Sequence, residues 1–223
     1  IDDASFSFYG PQDGQTVDEL AADFAAADLN AGPPEWYFQI DMIGGSSGSP
    51  AVIEIPAGEW LLGAMFFAED SASFASQAVT VTGEIPTYPA VDGQVDVTLV
   101  DMAIDMPDTI AAGPHVWQVT NTGAMPHFLW IMNPGGPVTQ EDAINGIKLF
   151  YEMPEATPAA VGSFQDPSTW TDVGGSDTIT NGMTTLIELD LEPGTYIAFC
   201  FVEGPGVLGS HALNGMTKVF TVE

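Results

Sequence analysis

Cys200 is the only cysteine in 223 residues, and His211, one of only three histidines, follows it after a gap of ten residues; Met216 follows His211 after a gap of four. Taken singly, each residue has an ordinary explanation. A lone cysteine at a strand end is usually a small buried hydrophobe, a methionine fills core, and a histidine in a Gly-rich loop is usually a solvated side chain. Their order in YIAFCFVEGPGVLGSHALNGMTKVFTVE is harder to dismiss. A strand ends on the thiol, a Gly/Pro loop carries the imidazole, and the thioether stands at the mouth of the last strand. One connection therefore supplies three donors suited to a soft metal. Two histidines and a thiolate in a plane, with a long axial methionine, are the donors of a blue copper centre. A second histidine must come from elsewhere, and His127 fits. It opens the stretch HFLWIM after the turn NTGAMP, with Leu129 and Ile131 alternating toward a core.

The elements that would position these donors are strands. In GTYIAFCFV (194–202), Tyr196, Ala198 and Cys200 share one face. This stretch has an earlier counterpart in GEWLLGAMFF (58–67). Each follows an alternating apolar run, AVIEIPA at 51–57 and TTLIELDLEP at 184–193. Upstream, Thr16 to Asp28 reads as a helix with a Thr-x-x-Glu cap and an apolar face of Leu20, Phe24 and Ala27. Thr139 to Tyr151 repeats the design with a weaker cap and a face of Ala143, Ile147 and Phe150. A short apolar strand precedes each helix, FSFY at 6–9 and HFLWIM at 127–132, and Trp36 and Trp170 occupy comparable places.

The sequence thus predicts an all-β chain of two related units, each with one inserted helix: residues 1–83, a Pro-containing linker at 84–94, and residues 95–223. The second unit has additional strands at 95–102 and 115–121 that the first lacks, so the first is expected to be incomplete. Its open edge predicts a homo-oligomer or an extended assembly, unless residues before Ile1 or the second unit cover it. In the first unit Ala64 stands where Cys200 does, and Ala4 or Ser5 stands where His127 does. That unit cannot hold copper in this way. Glu69 and Asp70 read as a solvated turn rather than a cation site, and His115 as a surface residue at a strand start.

NTGAMPHFLWI followed by YIAFCFVEGPGVLGSHALNGM resembles the cupredoxin superfamily, which includes plastocyanins, azurins and the type 1 domains of copper nitrite reductases. The resemblance covers about residues 95–223. It implies Greek-key β-sandwich units, one type 1 copper held by His127, Cys200, His211 and Met216, and one-electron transfer to a redox partner protein. The ten-residue gap between Cys200 and His211 is longer than in the small blue proteins, and the excursion at 136–181 departs from them too.

Composition sets the outer bounds. Thirty-one acidic residues against only Lys148 and Lys218 give a formal charge of −29. That excludes nucleic acid as a partner, since phosphate contacts need Lys and Arg. It points to a setting where salt screens the self-repulsion. No apolar run of 18 residues occurs, so no helical membrane span is expected. A start at Ile1 suggests that an export segment has been removed, and an extracytoplasmic location is expected: periplasmic, cell-surface or secreted. Three histidines are too few for a multicopper oxidase or a nitrite reductase, so an electron carrier is expected rather than an enzyme. Cys200 and His211 as a hydrolytic pair would lack an orienting carboxylate and leave Met216 unexplained. The alternative is a secreted structural protein in which copper serves as a rivet for the second unit.

Overall fold

The computed structural model describes residues 3–28, 33–47, 50–68, 71–87, 91–153, 155–156, 164, 166–204, 207 and 209–223. In the first part of the chain lie β1 (Asp3–Gly10), α1 (Val17–Ala26), β2 (Asp41–Gly44), β3 (Ser46–Ser47), β4 (Ala51–Ile53), β5 (Gly58–Ala68) and β6 (Ser71–Val81). The second part holds β7 (Val95–Val100), β8 (Ala103–Asp105), β9 (Thr109–Ile110), β10 (Gly113–Asn121), β11 (Trp130–Asn133) and α2 (Gln140–Phe150). It closes with β12 (Thr171–Ser176), β13 (Thr184–Leu191), β14 (Gly194–Phe199) and β15 (Thr217–Val222). Among the described residues no helix is long and apolar enough to cross a membrane. Residues 69–70, and 88–90 of the expected linker, lie outside the described residues.

Strands dominate because alternating runs such as VDVTLV and TTLIELDL present one apolar face each, and two such faces exclude water only when packed together. One layer is β4-β13-β10-β7-β8; the other is β3-β12-β11-β14-β15-β9. Val97, Leu99, Trp117, Val119 and Ile187 from the first meet Leu129, Ile131, Tyr196, Ala198 and Phe220 from the second in one buried cluster. The outer face of the second layer is covered by α2, through Ala143 and Ile147 against Ile197, Phe199 and Trp170. Phe150 was expected on that face, but it is 64 % exposed. It closes the helix, stacks on Phe201 at 5.8 Å and meets Tyr151 edge-on at 5.4 Å.

The first part forms a four-stranded sheet, β2-β1-β5-β6, in the same order as β12-β11-β14-β15. Its helix also lies on one face, through Val17, Leu20 and Phe24 against Tyr9, Ile40, Met42 and Leu61. Both helices start on complete reciprocal caps. Glu19 N–H donates to Thr16 Oγ1 (3.2 Å) and Thr16 N–H to Glu19 (2.8 Å), while Asp142 plays the part of Glu19 toward Thr139 (3.1 and 2.9 Å).

This part is not a sandwich of its own. Its second face is met inside the chain: Ile43 and Trp60 belong to the main cluster, with Phe8, Val79 and Val81 packed against it. The junction is a backbone ladder. Ile43 pairs with Ile179, Ser46 with Ser176 and Ser47 with Gly175. Between them Gly44 N–H donates to the Thr178 carbonyl and Asp177 N–H to that of Gly45, both at 2.9 Å; Thr180 N–H donates to that of Met42, also at 2.9 Å. Farther on, β4 pairs antiparallel with β13, each the counterpart of the other in the sequence repeat. Part of the side expected to recruit another chain is thus met within this one, while β6 stays at the edge of its sheet and Phe6 is 59 % exposed.

Candidate metal centre

His127 precedes β11 instead of opening it. The expected strand begins three residues later, at Trp130, and His127 is fixed by a separate bridge to Ile179, with backbone N–H to carbonyl distances of 3.1 and 2.8 Å. Cys200 lies just past β14, its N–H donating to the Met216 carbonyl (3.1 Å). His211 opens a short 3-10 turn, His211–Asn214, and Met216 N–H donates back to the His211 carbonyl (3.0 Å). The ends of four segments thus converge at one end of the sandwich.

There, His127 Nδ1 and His211 Nδ1 are 3.0 Å apart, and Cys200 Sγ is 3.9 Å from the first and 3.8 Å from the second. All three residues are fully buried, and among the described residues this is the cluster of His, Cys and carboxylate groups suited to a metal ion. A point equidistant from corners with these separations lies about 2.1 Å from each, a metal–nitrogen bond length and slightly short of a metal–sulfur one. The donors therefore fit a first-row metal with little movement. Met216 is buried in the same cluster as Cys200 and is tied by its backbone to both Cys200 and His211.

The surroundings favour neutral donors. Burial pushes the Cys200 thiol up to about 11, against the pull of the N–H groups of Phe128 and Val202, so the metal must displace a proton there. Burial pushes His211 down to about 4, aided by the neighbouring His127, and lowers His127 as well, against the pull of Asp101. Both imidazoles are thus held neutral, as ligation requires. The second nitrogen of His127, Nε2, lies 3.1 Å from Asp101 Oδ1. Asp101 is half exposed. Its partial burial is outweighed by N–H donors from Met125 and Ala124 and by His127, so its carboxyl sits below the usual range. Sequence reasoning missed Asp101, since nothing marks one carboxylate among 31.

His211 Nε2 is buried without a hydrogen-bond partner. His211 also lines a cavity of about 290 Å³, together with Glu35, Phe38 and Gln39 from the first part and Ala124, Met125, Pro126, Val202 and Gly204 from the second. A histidine in a Gly-rich loop is usually solvated, but the exposure of His211 is 0 %. The 3-10 turn Glu35–Gln39 of the first part lines the same cavity, a neighbourhood that no local pattern announces. Among the apolar neighbours of His211 in sequence, Ala212 is buried, Val207 and Leu213 are partly buried, and Leu208 lies outside the described residues. His115 takes no part. Its ring nitrogens lie 2.7 Å from the Gly93 carbonyl and 2.8 Å from the Ala111 carbonyl.

Three metal donors share one buried point.

No family model matches the chain, and no curated protein does. Solved structures give fold-level likenesses. An auracyanin from the photosynthetic bacterium Roseiflexus castenholzii is similar at 20 % identity over 59 % of this chain and 97 % of that one, with a TM-score of 0.37. Auracyanin A of Chloroflexus aurantiacus, described as a blue copper protein, is similar at 17 % identity over 58 % of this chain and 98 % of that one, with a TM-score of 0.36. A copper-containing nitrite reductase from Thermus scotoductus is similar at 9 % identity over 75 % of this chain and 41 % of that one, with a TM-score of 0.33. Scores this low decide nothing about chemistry, which rests on the side chains.

Proposed function

We propose that the chain binds one copper ion in a type 1 centre and passes single electrons, with His127, Cys200 and His211 as planar ligands and Met216 as the axial one. The observation that carries this reading is the buried triangle of two imidazole nitrogens and one thiol sulfur. That donor set suits copper, and all three donors are fully buried, unlike those of a hydrolytic site that keeps an open position for water. Copper bound there would supply a Cu(II)/Cu(I) couple. Phe128 N–H, 3.5 Å from Cys200 Sγ, would support the thiolate. The packed layers on both sides would limit movement of the donors between oxidation states. Residues 1–83 would then be a related unit without donors, serving as a cover. The acidic surface would be drawn to a basic redox partner at low salt and hardly at all in brine.

A second reading, copper as a rivet, draws support from the full burial of His211. A site used only for stability needs no open edge. Addition of Cu(II) to the metal-free protein is expected to give an intense visible thiolate-to-copper absorption, absent in Cys200→Ser. A folded wild type that stays colourless refutes the copper assignment. Fast oxidation and reduction by small inorganic complexes favours electron transfer, whereas a redox-inert site that raises the melting temperature favours the rivet.

A further inference from the structure

Asp101 belongs to the turn between β7 and β8, and its carboxylate collects three donors. Met125 N–H reaches Oδ1 at 3.1 Å, Ala124 N–H reaches Oδ2 at 3.1 Å, and His127 Nε2 lies 3.1 Å from Oδ1. The first two hold the loop that delivers His127; the third holds the ring itself. The turn is built for this approach. Met102 adopts a left-handed backbone (φ 61°), which a non-glycine residue takes only where its surroundings enforce it. A Cβ on Gly123 would lie 2.4 Å from Asp101 Oδ1 and 2.9 Å from His127 Nε2. One on Gly215, just before Met216, would lie 2.3 Å from the Met102 carbonyl. The turn is thus clasped between the two loops that carry His127 and the His211–Met216 pair, and glycine is what lets both loops close on it.

We propose that Asp101 is a positioning residue: by accepting the Nε2 proton of His127 it fixes that ring with Nδ1 toward the metal, and its charge favours the more oxidised state of the centre. The proposal rests on the copper reading above. A carboxylate on the far nitrogen of a ligating imidazole fixes the tautomer and makes the ring a better donor. A negative charge one imidazole away from the metal also stabilises Cu(II) more than Cu(I). Among the described residues no Lys or Arg is paired with Asp101; the salt bridges are Asp101 with His127 and Asp108 with Lys218.

The test compares wild type, Asp101→Asn and Gly123→Ala, each loaded with copper. Asp101→Asn keeps the shape and a neutral acceptor but loses the charge; Gly123→Ala drives the carboxylate and imidazole apart. Both are expected to weaken copper affinity about tenfold to a hundredfold and to raise the reduction potential, with the visible band retained. A folded, blue Asp101→Asn with wild-type affinity and potential overturns the proposal and leaves the copper reading standing; a folded wild type that takes up no copper overturns both. Nitrogen-15 spectra of the metal-free wild type decide the matter without any variant. His127 should be the Nε2–H tautomer with a slowly exchanging proton, and the Nδ1–H tautomer overturns the proposal.

Discussion

Replacing Ile43 by Ala tests whether the two halves of the chain are one cooperative structure. Ile43 lies in the first half by sequence, yet its side chain is fully buried in the core cluster that also contains Cys200 and Met216, and its backbone pairs with Ile179. Ile179 is in turn the bridge partner of His127. Truncation removes three buried carbons and leaves a cavity among well-packed neighbours, at a cost of about 2–5 kcal/mol. For a chain of this size each kcal/mol lowers the melting temperature by about 2–4 °C, so a loss near 3 kcal/mol corresponds to about 6–12 °C. The assay is calorimetry of the copper-loaded protein, with loss of the visible band followed on the same temperature ramp. The two readings should fall together, because the residue being cut pairs with Ile179, which in turn holds His127. A first half that melts earlier while the band keeps its wild-type temperature would show that the halves are independent, and a loss under about 1 kcal/mol would show that the Ile43 site collapses without a cavity.

Three further outcomes follow from particular contacts. Burial raises the Asp177 carboxyl above its ordinary value against hydrogen bonds from Thr178 N–H and the Ser7 hydroxyl, so the native state holds this proton more tightly than the unfolded chain does. Stability is then lost as pH rises from the ordinary carboxylate range through the raised value. Asp177→Asn should unfold at higher urea than wild type at pH 7, with the gap closing on acidification below that range; no gap at pH 7 refutes the penalty. Met216→Leu should keep the copper and raise its potential, since a weak axial donor to Cu(II) is lost, and an unchanged potential would show that Met216 is not axial. Gly175→Ala would place a methyl carbon 1.9 Å from the Leu129 carbonyl oxygen, backbone against backbone. Equilibrium unfolding should show a loss of about 2 kcal/mol or more, because overpacking at this contact must move a strand.

Much of the site was legible because its donors are scarce. One Cys and three His leave few combinations, and strand alternation aimed Cys200, Leu129 and Ile131 into the same core. Both helices were legible from their caps and apolar spacing. Phe150 shows where spacing stops being enough: it continues the face of Ala143 and Ile147, but the sheet beneath has ended. The strands β2 and β12, DMIG and TDVGGS, carried no recognisable pattern. They are short, and glycine supplies no side chain to show alternation, although at Gly175 its lack of bulk is what lets the strands meet. The cavity beside His211 and the role of Asp101 arise only from tertiary approach, where residues 35–39 and 101 reach loops far along the chain.

The ladder that joins the halves has a consequence in time. Ser46 finds its partner at Ser176 and Ala51 at Ile187, each more than a hundred residues later, so during synthesis the first half emerges with these edges bare. Closing contacts so distant along the chain is slow, and exposed strand edges stick to one another while they wait. The repeat sharpens the hazard. Since β4 pairs with its own counterpart β13, the edge offered by one newly made chain is a near copy of the edge another is seeking, and the correct partner differs from the wrong one mainly in being tethered to the same polypeptide. The yield of native protein should therefore fall steeply with concentration during refolding, even though the finished molecule has these edges paired.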